Sequence, residues 1–264
     1  MGDTFLIKLV ISVVVGASWV VLSTVLADKL GSKIGGLVAG LPSTVMFGAF
    51  FLAWTQNTDI AVRATTIMPI GAGLSCLFLA IYISLIKKNF FVAIFSGLLI
   101  WLAASYLLIR IRFDNIFVSL FSYFFILTSS FYFIEKILKI PSTKGIKIKY
   151  STKIILFRSL VGGIVVGLAV FLGKIGGPIW GGISSMFPAM FISTILVTYF
   201  SHGANFSAGT MKSAMVSAVS TVIYALCVRF TYQNMGLMLG TLTSIIISFF
   251  SGFILYKFII SKLK

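Results

Sequence analysis

The sequence predicts an all-α, polytopic membrane protein with about nine transmembrane helices in two inverted-topology repeats, and three features carry that prediction. The first is composition: 59% hydrophobic and only 10% charged residues over 264 positions, with a mean hydropathy of +1.12. A soluble domain would carry roughly 25% charged residues. The second is run length. The apolar stretches are continuous over about 20 residues and do not alternate, which selects helices over an outer-membrane barrel. The third is a punctuated apolar element that occurs twice: Gly35-Gly36 followed by Pro42, and Gly181-Gly182 followed by Pro188 at the same spacing.

Spans are expected over residues 5–27, 34–55, 64–86, 90–109, 116–138, 154–173, 178–200, 206–230 and 235–260. The first opens on Met1-Gly2-Asp3 without a basic leader and runs too long for a secretory signal, so it is expected to be retained. Leu6 stands where a myristoylation pattern requires Ser or Thr. The second span holds the first Gly/Pro element, with Ser43 and Thr44 directly after Pro42. The fifth is aromatic (Phe117, Phe121, Tyr123, Phe124, Phe125, Phe131, Tyr132, Phe133) and has no counterpart. It is expected to face lipid or another subunit and to serve as the odd helix that inverts the second half. Pro141, Gly145 and clustered lysines in 139–153 divide the chain into a first half, 1–138, a basic linker, 139–153, and a second half, 154–264. In the seventh span Ser184 and Ser185 precede Pro188, and Ser193 and Thr194 follow it by a turn or more.

With the N-terminus outside, fifteen Lys and Arg residues fall on the cytoplasmic side and six (Lys8, Arg63, Arg110, Arg112, Lys174, Arg229) outside. The positive-inside bias therefore predicts an N-out, C-in protein of the cell inner membrane. The two Gly/Pro elements, in the second and seventh spans, are an odd number of spans apart and must enter the membrane from opposite faces. Neighbouring residues support this arrangement, Lys8 corresponding to Arg158 and Arg63 roughly to Lys212, and a second match, Lys33-Ile34-Gly35-Gly36 with Lys174-Ile175-Gly176-Gly177, sits slightly upstream.

Proline withholds a backbone donor, so a carbonyl one turn earlier must find a hydroxyl, water or ligand in place of its helical partner. Interrupted spans at corresponding positions of inverted halves are how many secondary transporters build a midplane site. The candidate substrate-binding set is Gly35, Gly36, Pro42, Ser43, Thr44, Gly181, Gly182, Ser184, Ser185, Pro188 and Ser193. The plain alternative is that these small residues only let helices pack closely. All five acids, Asp3, Asp28, Asp59, Asp114 and Glu135, fall in loops or at span ends, which disfavours a carboxylate-based proton or cation site. Sodium held by unwound carbonyls and hydroxyls stays admissible. Lys8 and Arg158, about one turn inside opposite faces, are expected to snorkel; turned inward, they would favour an anionic substrate or an acidic headgroup.

His202 is read as a solvated residue of the turn 201–205, and Met186, Met190, Met211 and Met215 as adaptable packing. Cys76 and Cys227 lie in apolar segments outside any metal-ligand spacing, so neither disulfide, metal nor cofactor is expected. The net charge of +16 resides in loops and points to anionic lipid headgroups, not nucleic acid. With no paired carboxylates, no His-Glu-x-x-His helix, no Ser/His/Asp set and no P-loop, the chain is not expected to be an enzyme.

On the duplicated Gly-Gly/Pro element and the short multi-pass layout, the chain resembles small uncharacterised prokaryotic integral-membrane families and, more loosely, inverted-repeat secondary transporters. That resemblance implies a permease for a small solute, with anionic and lipid-like solutes among the candidates, working by alternating access. The competing expectation is a non-transporting membrane subunit or lipid-binding assembly factor, in which the basic linker is the working surface. A second copy of the chain is an admissible partner in either case.

Overall fold

The computed structural model describes residues 3–29, 43–141 and 151–258. Gly35, Gly36 and Pro42 lie outside the described residues, as does most of the basic linker, and of Ser43 only the backbone is described. Every regular element among the described residues is a helix: α1 (Asp3–Lys29), α2 (Ser43–Thr55), α3 (Thr58–Ala64), α4 (Met68–Leu85), α5 (Phe90–Arg110), α6 (Ile116–Tyr132), α7 (Thr152–Gly176), α8 (Pro178–Ser185) and α9 (Ala189–Phe258). A π-turn, Phe133–Ile137, continues α6. Six stretches are long and apolar enough to cross a membrane: Asp3–Leu22, Met68–Leu85, Phe90–Arg110, Ile116–Ile137, Thr152–Gly176 and Pro178–Leu255. Thr44–Thr55 is a shorter apolar helix.

Asparagine starts three of these helices. The side chains of Asn57, Asn89 and Asn115 accept from the amides of Ile60 (2.9 Å), Val92 (3.1 Å) and Val118 (3.0 Å), satisfying donors that a helix start leaves without partners.

The last third of the chain departs from the expected straight spans joined by polar loops. Its helical run turns at single glycines, Gly203 (φ 81°, ψ 179°) and Gly236 (φ 72°, ψ −176°), and Gly177 (φ 81°, ψ −171°) does the same between α7 and α8. That region of backbone space is essentially closed to residues with a Cβ. At each pivot the chain folds back on itself. Gly173 lies against Gly181 across Gly177, the Thr198 and Ser207 hydroxyls meet at 2.9 Å across Gly203, and the Thr231 and Ser244 hydroxyls meet at 2.9 Å across Gly236. The run α9 is therefore three antiparallel segments, 189–202, 204–235 and 237–258. The turn expected at 201–205 is one residue wide, and His202 within it is exposed, its ring 4.5 Å from that of Phe206.

Two antiparallel pairs build the interior. In the first, α1 packs on α7 at backbone distance: a Cβ on Gly163 would lie 2.7 Å from the Val13 carbonyl oxygen and 2.9 Å from Ala17 Cβ, and one on Gly16 would lie 3.0 Å from Val166. Small residues permit such an approach between apolar helices. In the second, α3 and α4 together run against the middle segment of α9, with Arg229 reaching Val62 at one end and Tyr82 bonding Ser207 (2.7 Å) at the other. Beside α4 stand α5, whose Gly97 faces Phe78, and α6, whose Ser119 Oγ accepts from the Ile70 amide at 3.0 Å. The aromatic helix α6 is two-faced. Phe117 and Phe121 are 81% and 74% exposed, whereas Tyr123 is fully buried against α4.

Candidate functional site

The helical path from Gly177 to Gly203 is interrupted at residues 186–188, as Pro188 predicts. The carbonyl stranded there is not the expected one. Ser184, one turn before Pro188, takes the Phe187 amide (3.1 Å), because the last turn of α8 tightens to a shorter bond pattern. The Ala189 amide turns back to the Phe187 carbonyl (2.8 Å) around Pro188. The Met186 carbonyl is satisfied from another helix: Ser75 Oγ of α4 donates to it at 3.0 Å and accepts from Trp101 Nε1 of α5 at 3.3 Å. A hydroxyl has one proton, so the Met186 carbonyl shares it with the Gly71 carbonyl at 3.2 Å. The Trp101 ring stands edge-on to Phe187, with centroids 5.3 Å apart. Ser75, Trp101 and Met186 are all buried.

Around this break the structure brings together part of the predicted set. Gly181, Gly182, Ser185 and Pro188 are buried in one crossing, and Ser184 is half-buried. Here α8 runs antiparallel to α2: a Cβ on Gly48 would lie 2.8 Å from Ser185 Cβ, and one on Gly181 would lie 2.9 Å from Leu52. Thr44, buried near the start of α2, lies toward the end of α8 that leads to Pro188. Gly182 presses on the carbonyl end of α3, where a Cβ would come 2.5 Å from the Ala64 oxygen. Ser193 is buried a turn beyond the break. Its hydroxyl donates to the Met190 carbonyl (3.0 Å) and that of Ser185 to the Gly182 carbonyl (2.7 Å), so both are engaged within their own helices.

Sequence reasoning missed three participants. Ser75 and Trp101 read as ordinary members of apolar spans, although each offers a polar atom that a buried position must satisfy. The third is a second interruption, residues 65–67 between α3 and α4, where a single span was expected to begin. Its signal was present in Pro69, which sits in the first turn of α4 as proline does at helix starts.

Four cations, Lys212 and Arg158 buried and Lys8 and Arg229 half-buried, form the rest of the site, and helix C-termini hold most of them. Lys8 Nζ donates to the Trp54 carbonyl near the end of α2 (2.9 Å) and lies 4.9 Å from the centre of the Trp54 ring. Arg229 Nη1 reaches the Val62 carbonyl (3.5 Å), Thr65 Oγ1 (3.4 Å) and Thr66 Oγ1 (3.0 Å) where α3 ends. Lys212 Nζ donates to the Ile140 carbonyl (2.7 Å) beyond the π-turn and pairs with Glu135. The last carbonyls of a helix lack partners and carry partial negative charge, so they compensate a cation without an acid. That is how a chain with 21 basic and 5 acidic residues keeps several cations inside. Arg158, expected to snorkel, is 3% exposed, and its Nη1 donates to Thr194 Oγ1 at 2.9 Å.

Fold and site together define an all-helical membrane protein whose interrupted helix is seated across a second interruption, with cations anchored on helix ends inside the bundle. Residues 9–114 match the model of a family described as protein of unknown function (DUF3147). The matched stretch begins within α1 and ends in the turn between α5 and α6. No curated protein and no solved structure matches the chain.

Proposed function

We propose that the chain is a permease for a small solute, with nine membrane spans in two inverted halves that rock against each other in alternating access. The carrying observation is that α8, interrupted at Pro188, packs on α2 of the other half at Gly48 and against the 65–67 interruption through Gly182. A midplane site built from broken backbone must be enclosed by protein, since lipid cannot satisfy it. The proposed substrate contacts are those named from the sequence, joined by Ser75 and Trp101. The solute is small, with anionic and lipid-like candidates, and no catalytic step is assigned.

Packing symmetry supports the inversion. The registration that pairs Lys8 with Arg158 also pairs Val13 with Gly163 and Ala17 with Gly167. The contact of Ala17 with Gly163 then has its image in the contact of Val13 with Gly167, and both are present. The registration that pairs Pro42 with Pro188 makes Ala61 equivalent to Ser207 and Tyr82 to Val228. The bond from Tyr82 to Ser207 is answered one residue along from its image, by Arg229 on Val62. The third match, Lys33 to Gly36 with Lys174 to Gly177, fits neither registration. The family match over 9–114 spans the first repeat and stops before the unpaired α6. An N-out, C-in orientation in the inner membrane, with basic loops on anionic headgroups, completes the reading.

The competing reading, a non-transporting or lipid-binding subunit, draws on how closely Gly71, Gly182 and Gly163 are packed. The test is uptake by reconstituted vesicles carrying Pro42→Ala with Pro188→Ala. Flux that falls well below wild type while the thermal midpoint holds supports a permease working through this site; unchanged flux argues against the site, and no flux of any screened solute in the wild type favours the subunit.

A further inference from the structure

Lys212 and Glu135 are joined where three uncommon local features meet. The side chain of Lys212 is 1% exposed and that of Glu135 is 30% exposed, so the pair spans the boundary between the dry interior and the outside of the bundle. Glu135 stands on the π-turn Phe133–Ile137, a helical variant that widens one turn and re-aims the side chains on it. Lys139 follows in the left-handed region (φ 50°), and the Ile140 amide closes back on the Ile134 carbonyl at 3.3 Å. This ending turns the Ile140 carbonyl toward Lys212, which it meets at 2.7 Å. Lys212 is also about 12 Å along its segment from residue 204, at 1.5 Å per residue, too deep to be a loop charge.

Arg229 makes the corresponding anchor about 25 Å farther along the same segment, on the hydroxyls and carbonyl at the 65–67 interruption. One helix therefore carries a cationic anchor toward each end. The two anchors differ in kind, since among the described residues Lys212 holds a counter-charge and Arg229 is bonded to neutral oxygens.

We propose that the Lys212–Glu135 pair is a latch that closes the pathway at the end of the bundle bearing the π-turn, and that opening this end lets water reach Lys212 and releases α6 from the middle segment of α9. The proposal rests on the permease reading. Its physics is bistable: the attraction between unit charges is about fourfold stronger at an effective dielectric constant of about 20 than in water at about 80. Closed and dry, the pair holds; open and wet, both ions are hydrated and the restraint lapses. An ion pair inside a membrane span is costly to keep without such a use.

The test uses the full chain with Cys76→Ala and Cys227→Ala, and a single reporter, Ala208→Cys, one turn from Lys212 and buried. Labelling by a membrane-impermeant maleimide is read in inside-out vesicles and in right-side-out spheroplasts, with no solute added. Glu135→Gln should raise labelling from the π-turn face about tenfold and leave it unchanged from the other face. Lys212→Gln, which can still donate to the Ile140 carbonyl, should raise labelling from the same face, and the double variant Glu135→Gln with Lys212→Gln should rise no further than the larger single. Single rises that multiply in the double variant would mark a packing defect and overturn the latch, as would no rise or a rise from the opposite face. Glu135→Asp, which keeps the charge on a shorter arm, should give an intermediate rise and supplies the result if Glu135→Gln does not fold; parental labelling in Glu135→Asp would then overturn the latch. Because labelling needs no transport, a latch without solute flux would refute the permease reading alone, and flux without a labelling response would refute the latch alone.

Discussion

Replacing Ser75 with alanine is the sharpest perturbation of the interrupted helix. The change removes the proton given to the Met186 carbonyl at 3.0 Å and the acceptor for Trp101 Nε1 at 3.3 Å, both in a buried position. Hydrogen bonds between membrane helices average about 0.6 kcal/mol, which sets a floor of about 1.2 kcal/mol for two. Stranding a buried donor or acceptor costs about 1–3 kcal/mol when nothing replaces its partner. The Trp101 bond is near the long limit and contributes at the low end, so Ser75→Ala should destabilise the protein by about 1.5–3 kcal/mol. Trp101→Phe should cost about 0.6 kcal/mol through its donor alone, with any loss of ring packing added. The double variant should fall short of the sum by about the worth of the shared bond. Equilibrium unfolding in mixed micelles or by steric trapping measures all three. A Ser75→Ala protein within about 0.3 kcal/mol of wild type would refute the account of the Met186 carbonyl, and strictly additive singles would refute the bond shared by Ser75 and Trp101.

Three further outcomes are expected. Gly163→Val places a side chain against the Val13 carbonyl, where even a Cβ would lie at 2.7 Å, and should destabilise by about 2–3 kcal/mol or prevent accumulation; a wild-type yield and midpoint would contradict the antiparallel seam of α1 and α7. Gly203→Ala meets no atom within 4 Å, so its cost of about 1–3 kcal/mol comes from the backbone alone, and an unshifted unfolding midpoint would show that the pivot does not need glycine. Arg229→Lys should weaken and Arg229→Met should weaken further, by about 1–2 kcal/mol in all, because one nitrogen now reaches two hydroxyls and a carbonyl; equal midpoints for wild type and Arg229→Lys would remove the anchoring role.

Much of the class and part of the site were legible. Run length and charge depletion gave an all-helical membrane chain, and Pro188 gave the break, because a missing donor has the same consequence in every helix. The identity of the stranded carbonyl was not legible. It depends on whether the preceding turn tightens, and tightening moved the vacancy from Ser184 to Met186. Gly203 and Gly236 look in sequence like glycines tolerated within an apolar helix, since nothing local distinguishes a packed glycine from one at positive φ. Lys212 fell within the eighth span, 206–230, yet was counted with the cytoplasmic charges, because counting Lys and Arg assigns each one to the nearer face. The Ile140 carbonyl and Glu135, which make its burial tolerable, come from another helix. The same blindness hid Arg158 and Arg229, whose acceptors are hydroxyls and helix-end carbonyls that composition cannot assign.

The inversion of the two halves is tested most directly by locating Asn57 and His202, exposed residues in the turns that follow the second and the seventh span. In a chain lacking Cys76 and Cys227, Asn57→Cys and His202→Cys are each labelled with an impermeant maleimide, in intact cells and in inside-out vesicles. The account predicts Asn57→Cys labelled only from the outside and His202→Cys only from the cytoplasm. Labelling of both from the same compartment would contradict it.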